Sequence, residues 1–283
     1  MSTPSYINFN GFIDKDDEPI FTAKNRGFRY GDALFETIRV VNGKPCFIED
    51  HFQRLKKGMD VLKMKPGGNI SFNDLKGQIE KLLEKNHIKK GGRIRLTVFR
   101  AAEGLYAPKN QTKSYVIEAK PFDENEYVLN EKGLVVDTYS ECKRNRNILS
   151  QIKTTNCIPN VLAGIYKDEN NLDECIVLND LGRISEAISS NIFLYKNHSI
   201  YTPSLEEGCM DGVMRKQILK VAKEMNINVF EGMLNGSMLL QADEMFLTNA
   251  IRGIQWVGAY RQKRYFNKAT KEILEHLNQL VSV

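Results

Sequence analysis

Two residues of this sequence have surroundings suited to covalent and acid–base chemistry. Lys153 lies in the short-chained, polar segment Gln151–Asn156. A lysine that forms Schiff bases must be partly desolvated, so that its amine is available unprotonated. An ordinary surface charge is the alternative interpretation of Lys153. Glu186 follows the turn Asn179–Gly182 and is the second candidate, with a solvated carboxylate as the alternative.

Two further features are suited to binding an anion. Gly212 precedes a predicted helix, and the free N–H groups of a helix start attract phosphates where glycine permits close approach. A turn capped by Asp211 is the alternative. Arg54 lies off the apolar stripe of its own predicted helix, so it could bind a phosphate through two hydrogen bonds or face solvent. The sequence lacks GxxxxGK[ST], which argues against a nucleoside-triphosphate loop.

A pair of arginines is placed to bind carboxylates. Arg93 and Arg95 alternate with apolar residues in the predicted strand Arg93–Phe99, so they share one face, roughly 7 Å apart by strand rise. Two guanidiniums so placed can bind carboxylates, and an exposed strand surface is the alternative. Phe35 and Thr37 likewise share one face of their own predicted strand.

Short strands and helices position these residues. The β-branched run Leu34–Val41 predicts a strand, and Asn42-Gly43 after it predicts a hairpin. Two amphipathic helices follow, one on each side of a break at Lys65–Gly68. Later strands are predicted near residues 93–99, 115–119, 134–138, 175–178, 191–195 and 245–248, and later helices near 160–169, 213–225 and 270–280. Strands and helices mixed without a strict βαβ rhythm predict an α+β fold.

Composition places the chain among ordinary globular proteins. Its 283 residues are 42% hydrophobic and 27% charged, which disfavours disorder. No apolar run approaches the roughly 18 residues of a membrane helix. The N-terminus shows no basic start followed by an apolar stretch, and the five scattered cysteines form no CxxC pair. We therefore expect a cytoplasmic protein with reduced thiols. The four histidines lack metal-ligand spacing, so no metal is expected.

Two basic clusters, Lys143–Arg146 and Arg261–Arg264, raise the question of nucleic-acid binding. The formal net charge is only +5, and acidic residues interleave through most of the chain. Binding to a phosphate backbone requires basic charge massed on one face. Solvated basic loops are therefore the favoured interpretation, and neither a nucleic-acid nor a membrane partner is expected.

A polar, proline-bearing segment, Lys120–Glu126, predicts a domain junction. We therefore predict a small α+β domain at residues 1–120, a linker at 121–128, and a larger α+β domain at 129–283. The larger domain is predicted to carry both Lys153 and Glu186.

The candidate residues occur in one specific order along the chain. They run Arg54, Lys153, Glu186 with Ser190-Asn191, Thr202-Pro203 through Gly212-Val213-Met214-Arg215, and Ala242-Asp243-Glu244 with Thr248-Asn249-Ala250. Together with the N-terminal run Arg29–Arg39, this order resembles the class IV (fold type IV) pyridoxal-phosphate-dependent aminotransferases. That family contains branched-chain aminotransferases, D-amino acid aminotransferases and aminodeoxychorismate lyases. The likeness covers nearly the whole chain.

The resemblance implies roles for individual residues. Lys153 would hold pyridoxal 5′-phosphate as an internal aldimine, a Schiff base, and later move the substrate α-proton. Glu186 would hydrogen-bond the pyridine nitrogen and keep it protonated. Arg54 and the N–H groups around Val213 would bind the cofactor phosphate. The remaining cofactor-binding residues are expected to be Gly212, Ser190, Asn191, Thr248 and Asn249. The resemblance also implies a homodimer of two-domain subunits with the cofactor between the domains.

Substrate preference is less sharply indicated. The resemblance to branched-chain enzymes lies at Tyr30-Gly31, Phe35-Glu36, Arg39 and Arg95. The Lys-x-x-Asn spacing from Lys153 to Asn156 instead resembles the D-amino acid and lyase branches. The residues Tyr, Arg and His that bind the carboxylate in typical D-amino acid enzymes correspond here to Phe35, Arg100 and Ala102. Arg29, Arg93 or Arg95 could replace the missing groups. Ala250 stands where transaminases commonly have a phosphate-binding Thr, and Thr248 or Ser190 could compensate.

The leading hypothesis is a transaminase, with D-amino acids slightly favoured and a 2-oxo acid such as 2-oxoglutarate as acceptor. An aminodeoxychorismate lyase that forms 4-aminobenzoate and pyruvate is the first alternative, and an L-branched-chain aminotransferase is the second. A basic binding protein that retains the fold without catalysis is a hypothesis of another class, which the intact pair Lys153 and Glu186 disfavours.

Overall fold

The computed structural model describes residues 5–64 and 71–281, so the predicted break at Lys65–Gly68 lies outside the described residues, as do residues 1–4. Contacts divide the chain into two compact units. The first comprises Met1–Glu126 together with Ile152–Asn156, and the second comprises Tyr127–Gln151 together with Cys157–Val283.

The first unit is an antiparallel sheet with helices. Its strands are β1 (Tyr6–Phe9), β2 (Phe12–Lys15), β3 (Ala33–Val41), β4 (Lys44–Pro45), β5 (Gly92–Arg100) and β6 (Lys113–Pro121). Its helices are α1 (Arg26–Tyr30), α2 (Ile48–Val61) and α3 (Phe72–Lys85). The strands pair in the order β2-β1-β6-β5-β3-β4.

The apolar alternation along β5 becomes the core face of this sheet. Ile94, Leu96 and Val98 are buried and join the cluster that α2 and α3 cover, while Arg93 and Arg95 point to the other face. The predicted strands and both amphipathic helices of this unit are therefore confirmed. The hairpin at Asn42-Gly43 is confirmed as well, because both residues have positive φ, 50° and 71°, and β3 pairs with β4 around them.

The segment that carries Lys153 groups with the first unit, whereas the sequence interpretation assigned it to the domain at 129–283. The reason is backbone pairing with β3. The Phe35 N–H donates to the Lys153 carbonyl at 2.9 Å, and the Thr155 N–H donates to the Ala33 carbonyl at 3.1 Å. This pairing joins β3 to a short segment far away in sequence, so it leaves no pattern among neighbouring residues. Composition therefore could not indicate that the Lys153 segment groups with the first unit. The first unit ends at Glu126, inside the predicted linker 121–128.

The second unit is built around a mixed sheet. Its strands are β7 (Leu134–Arg144), β8 (Glu174–Asn179), β9 (Ile184–Ala187), β10 (Asn191–Lys196), β11 (Ser199–Pro203), β12 (Asn228–Gly232), β13 (Glu244–Asn249), β14 (Gly253–Tyr260) and β15 (Lys263–Arg264). Its helices are α4 (Ile158–Glu169), α5 (Val213–Glu224), α6 (Gly236–Gln241) and α7 (Lys268–Val281), with a 3-10 turn at Leu205–Glu207. The main strand order is β12-β11-β10-β13-β14-β7-β8-β9, and parallel and antiparallel pairs mix. Both units combine sheet and helix without a βαβ repeat, which confirms the α+β class.

A buried carboxylate at the start of β13 holds the C-terminal helix. Glu244 accepts hydrogen bonds from the N–H groups of Ala269 and Thr270, at 2.8 and 2.9 Å, and from the Thr270 hydroxyl at 2.7 Å. These N–H groups belong to the first turn of α7, which has no partner for them inside the helix. Glu244 therefore caps α7 from a neighbouring strand.

Replacing Glu244 by alanine is expected to lower the free energy of unfolding of the second unit by about 2–4 kcal/mol, because buried donors lose their acceptor. Chemical denaturation followed by circular dichroism measures this loss. Glu275→Ala, an exposed change in the same helix, is the control and should shift stability by less than about 0.5 kcal/mol. Equal effects of the two changes would contradict the capping role.

Helix length and apolarity bear on membrane insertion. Among the described residues, no helix combines the length and the apolar character that crossing a bilayer requires.

Candidate active site

The amine of Lys153 lies against an aromatic ring of the same unit. The main chain on either side of Lys153 is held by β3, and its Nζ lies 4.5 Å from the centroid of the Phe35 ring. The side chain is half-buried. An aromatic face attracts the ammonium form of a lysine, so this contact helps to fix where the Lys153 amine lies.

Phe35 also contacts a second cation. The guanidinium carbon of Arg95 lies 4.1 Å from the centroid of the same ring, and its Nε lies 3.9 Å from Glu118 Oε2. One ring therefore brings an arginine and the candidate nucleophile into the same neighbourhood. The Arg95 guanidinium carbon and the Lys153 amine are therefore at most 8.6 Å apart, because they lie 4.1 and 4.5 Å from one ring centroid. A planar guanidinium is suited to binding a substrate carboxylate.

Asn156 ties the segment after Lys153 to the turn before β3. Its Nδ2 donates to the Gly31 carbonyl at 3.1 Å, and a Cβ at position 31 would lie only 2.5 Å from Asn156 Oδ1. Gly31 has a φ of +62°, so both its conformation and this close approach favour glycine. The Lys-x-x-Asn spacing thus has a positioning role in this chain.

Arg54 forms a buried cluster with an acid and a histidine. Its Nε donates to Glu36 Oε1 at 2.9 Å, and its Nη2 donates to Glu36 Oε2 at 2.5 Å. His51 Nδ1 lies 2.7 Å from the same Oε2. Burial alone would raise the pKa of Glu36, but the charge of Arg54 and the hydrogen bonds from His51 and Arg54 outweigh it and lower this pKa from 4.5 to about 2.

Burial lowers the pKa of His51, against the opposing influence of Glu36. The ring is therefore neutral at pH 7. Because Glu36 is a carboxylate, the His51 nitrogen that faces it must donate, which places the ring proton on Nδ1. His51 and Arg54 are three residues apart in α2, so both project from the same helix face onto β3.

The lowered pKa of Glu36 has a consequence for stability in acid. Folding keeps Glu36 ionised down to about pH 2, whereas the unfolded chain takes up the proton near pH 4.5. The contribution of Glu36 to the free energy of unfolding is therefore complete above about pH 4.5 and lost as the pH falls towards 2.

We expect Glu36→Gln to flatten this part of the stability–pH curve, measured by chemical denaturation at a series of pH values. Glu80→Gln, an exposed change on α3, should keep the slope. An unchanged slope in Glu36→Gln would contradict the assignment.

The other predicted substrate residues differ in exposure. Arg93 and Arg29 are exposed, and Arg29 Nε donates to the Ala23 carbonyl at 2.6 Å. Tyr30 is half-buried, and its ring lies 5.7 Å from that of Tyr106. All of these groups belong to the first unit.

Arg100 is instead part of a buried network. Its Nε donates to Asp32 Oδ2 at 2.9 Å, and its Nη2 donates to the Leu62 carbonyl at 2.6 Å. Arg26, which the sequence interpretation did not single out, donates to the same Asp32 oxygen at 2.8 Å and to the Gly104 carbonyl at 2.8 Å. These bonds bind the connection between β5 and β6 to α1, so Arg100 already has acceptors of its own.

Glu186 lies on β9 of the second unit with both carboxylate oxygens bound. Arg144 Nη1 lies 2.6 Å from Oε1, and the Met210 N–H donates to Oε2 at 2.6 Å. Arg144 is fixed in turn by the carbonyls of Gly208 and Ser150, at 3.0 and 2.7 Å. These contacts hold the buried Glu186 carboxylate in one orientation. A carboxylate that accepts a hydrogen bond from a protonated ligand nitrogen requires such a fixed orientation.

The start of α5 is suited to an anion. Gly212 occupies the cap position of α5 and has no side chain, so the cap residue offers no side-chain acceptor to the first N–H groups of the helix, from Val213 onward. A Cβ at position 212 would lie 1.9 Å from Asn191 Oδ1, so only glycine can be accommodated there. Asn191 Nδ2 donates to the Met210 carbonyl at 2.9 Å and so fixes this loop.

Hydroxyl and amide groups lie at the adjacent ends of β10 and β13. Asn191 pairs with Thr248 across these strands, and Asn249 Nδ2 donates to Ser190 Oγ at 3.0 Å. Thr248 Oγ1 is buried and, within the part of the chain that the structure describes, has no hydrogen-bond partner. An unpartnered buried hydroxyl is uncommon and is suited to a ligand atom. Ala250 contributes no hydroxyl.

Three of the six basic residues in the two basic clusters pair with acids. Arg144 binds Glu186, Arg146 Nε donates to Asp180 Oδ1 at 2.8 Å, and Arg261 Nε donates to Asp137 Oδ1 at 2.9 Å. The partners of Arg144 and Arg146 come from β9 and from the turn after β8. Sequence inspection could place these arginines in a basic cluster but could not identify acids that lie 34 or more residues away.

A family model described as "Amino-transferase class IV" matches residues 33–260, most of the chain. The chain belongs to the class IV aminotransferase family. These enzymes depend on pyridoxal 5′-phosphate, so this class IV aminotransferase is a pyridoxal-phosphate enzyme.

Relatives of this class IV aminotransferase carry several activities. It is 28% identical over 249 residues to an aminodeoxychorismate lyase of Bacillus subtilis, covering 87% of this chain and 83% of that protein. It is 28% identical to a D-alanine aminotransferase of Bacillus licheniformis, covering 86% and 84%. It is also 28% identical to a putative branched-chain-amino-acid aminotransferase of Methanocaldococcus jannaschii, covering 96% and 94%. Equal identity to all three leaves the substrate open.

Solved structures share the fold. The branched-chain amino acid aminotransferase of Thermobaculum terrenum in its pyridoxal-phosphate form matches with a TM-score of 0.88 at 19% identity, covering 99% of this chain and 94% of that one. A putative 4-amino-4-deoxychorismate lyase of Legionella pneumophila matches with a TM-score of 0.83 at 25% identity, covering 94% and 97%. The fold type IV architecture that the sequence predicted is thereby confirmed.

The residues of this class IV aminotransferase are chemically suited to pyridoxal phosphate. The uncapped start of α5 at Val213 and the unpartnered hydroxyl of Thr248 are groups that a phosphate monoester can use. The half-buried amine of Lys153 suits an aldehyde, and the fixed carboxylate of Glu186 suits a protonated pyridine nitrogen. Sequence analysis named all four residues as candidates, but it assigned no role to Glu36, His51, Arg144 and Asp32, which hold the candidate arginines and Glu186. One available signal was Glu36 itself, an acid on the same strand face as Leu34 and Ile38.

Proposed function

We propose that this enzyme is a transaminase that moves an amino group between an α-amino acid and a 2-oxo acid such as 2-oxoglutarate, with D-amino acids favoured. The observation that carries the proposal is the Phe35 ring, which lies 4.5 Å from the Lys153 amine and 4.1 Å from the Arg95 guanidinium carbon. A lysine and an arginine that contact one ring, at most 8.6 Å apart, suit a substrate that carries both an amino group and a carboxylate. The preference for D-amino acids over L-branched-chain substrates rests on the Lys-x-x-Asn spacing, which resembles the D-amino acid and lyase branches and not the branched-chain enzymes.

Each residue has a defined task in this proposal. Bound pyridoxal phosphate supplies a ring that accepts the electron pair left when the substrate α-proton is removed. Lys153 binds the cofactor covalently, and its amine takes the α-proton and returns it. Glu186 holds the proton on the pyridine nitrogen, and Arg144 with the Met210 N–H keeps that carboxylate oriented.

Binding of the phosphate and of the substrate completes the proposal. In the first unit, Arg54 is the candidate for binding the phosphate. In the second unit, the first N–H groups of α5 are the candidates, with Gly212 admitting close approach, and Ser190, Asn191, Thr248 and Asn249 are further cofactor-binding candidates. Arg95 is the leading candidate for the substrate carboxylate, assisted by Tyr30 and Phe35 and by Arg93 or Arg29. Arg100 is the weakest candidate, because Asp32 and the Leu62 carbonyl already occupy it.

Half-reactions with single amino acids test this function. The purified protein is mixed with D-glutamate, L-glutamate or L-leucine, and cofactor absorbance and the 2-oxo acid product are followed. We expect D-glutamate to convert the cofactor and release 2-oxoglutarate, with little conversion by the L-amino acids. Conversion by L-leucine and L-glutamate alone would reverse the stereochemical proposal and favour the branched-chain alternative.

An aminodeoxychorismate lyase is the second candidate function. Ala250 favours it, because the run Asn249-Ala250 resembles the lyases and lacks the hydroxyl expected of a transaminase. If no amino acid converts the cofactor, while aminodeoxychorismate yields 4-aminobenzoate and pyruvate, the transaminase proposal is wrong and the lyase is correct.

We also propose a homodimer in the cytoplasm. Support for self-association comes from α4, which buries Ala163 but leaves a row of apolar side chains exposed, namely Ile158, Val161, Leu162 and Ile165. Sedimentation equilibrium tests the proposal, and the expected mass is twice that of the 283-residue chain. A monomer at micromolar concentration would contradict it.

A further inference from the structure

A carboxylate lies on the apolar face of β3. Leu34 and Ile38 flank Glu36 on that face and belong to the hydrophobic core, and Glu36 itself is only 1% exposed. Its two oxygens receive two hydrogen bonds from Arg54 and one from the neutral His51. Sequence analysis assigned no role to this acid.

Stability alone does not account for such a pair. An ion pair in a protein core is often no better for stability than apolar residues of similar volume, because both charges must leave water. The same pair does fix geometry, since a two-bond contact between guanidinium and carboxylate defines both the position and the plane of the guanidinium. The pair is therefore better explained by orientation than by stability.

The location of Glu36 on the strand strengthens this explanation. The preceding residue, Phe35, binds the Lys153 carbonyl through its N–H and contacts the Lys153 amine through its ring. Consecutive residues of β3 thus contact the candidate nucleophile, through Phe35, and Arg54, through Glu36. A single rigid strand of the first unit determines where both groups lie.

We propose that Glu36 is a positioning residue that holds the Arg54 guanidinium ready to bind the phosphate of pyridoxal phosphate, with His51 as a second donor that fixes the carboxylate. This inference rests on the proposed role of Arg54. Glu36 acts only through Arg54 and touches neither cofactor nor substrate. Without the carboxylate, the long arginine side chain samples several rotamers, and binding the phosphate must order it again.

The phosphate preference of the apoprotein isolates this effect. Dissociation constants are measured for pyridoxal 5′-phosphate and for pyridoxal, which lacks the phosphate, and their ratio is the preference. A general structural defect weakens both ligands together and leaves the ratio unchanged. The variants are Glu36→Gln, which keeps the shape and removes the charge, Glu36→Asp, which keeps the charge and shortens the reach, and Arg54→Lys. Glu103→Gln is the control, because Glu103 forms an exposed ion pair with Lys109 in the same unit.

We expect both Glu36 variants to lower the phosphate preference about tenfold, Arg54→Lys to lower it at least as much, and Glu103→Gln to leave it unchanged. If Glu36→Gln does not fold, Glu36→Asp carries the test, because it preserves charge balance in the core. A normal preference in the folded Glu36 variants, together with a reduced one in Arg54→Lys, overturns the positioning role alone. A normal preference in Arg54→Lys overturns the proposed role of Arg54, and the positioning role with it.

Discussion

Replacing Lys153 by alanine is expected to reduce turnover by about 10⁴-fold or more. The change removes the amine that binds the cofactor covalently and the base that moves the α-proton, and proton transfer alone contributes about 10²–10⁴-fold. Folding should be little affected, because β3 holds the main chain here through the carbonyl of Lys153 rather than its side chain. Steady-state transamination and the thermal unfolding midpoint measure the two effects separately.

Lys109→Ala is the matched control for this change. Lys109 lies in the same unit, is exposed, and forms a solvent-exposed ion pair with Glu103 at 3.0 Å. It should retain full turnover. Normal turnover in Lys153→Ala would show that another group performs the covalent chemistry, and the site assignment would be wrong.

Glu186→Gln is expected to slow removal of the α-proton about a hundredfold while cofactor still binds. A neutral amide cannot balance a protonated pyridine nitrogen, and it leaves the nearby Arg144 charge unmatched, which disfavours that proton further. The amide also offers one acceptor oxygen to two donors, Arg144 and the Met210 N–H, so one of them is lost. Stopped-flow half-reactions with α-deuterated substrate measure the step, and its isotope effect should increase.

Asp180→Asn provides the control for Glu186→Gln. It breaks the exposed ion pair with Arg146, two residues from Arg144 in the same basic cluster, and should leave the half-reaction unchanged. A half-reaction of normal rate in Glu186→Gln would mean that the carboxylate does not hold the ring proton.

Much of the fold could be predicted because its signals are local. The alternation in β5, the Asn42-Gly43 turn and the apolar stripe of α2 each depend on residues adjacent in sequence. The start of α5 at Gly212 was predictable for the same reason. These elements are observed where the patterns predicted them.

What could not be predicted depends on partners far away in sequence. Lys153 groups with the first unit through hydrogen bonds to β3, more than a hundred residues earlier. The sequence shows Arg144 only as a member of a basic cluster, whereas in the structure it forms an ion pair with Glu186 on another strand. Sequence patterns indicate which residue types are suited to chemistry. Which acid pairs with which arginine in the interior depends on how the strands align in the folded sheet.

Reductive trapping tests the central claim most directly. The coloured holoenzyme is reduced with borohydride, which fixes the cofactor to the lysine that holds it, then digested and mapped by mass spectrometry. We expect the phosphopyridoxyl group on the peptide that contains Lys153, and on no other lysine. Its recovery on a different lysine, or no trapping at all in protein that binds the cofactor, would contradict the account.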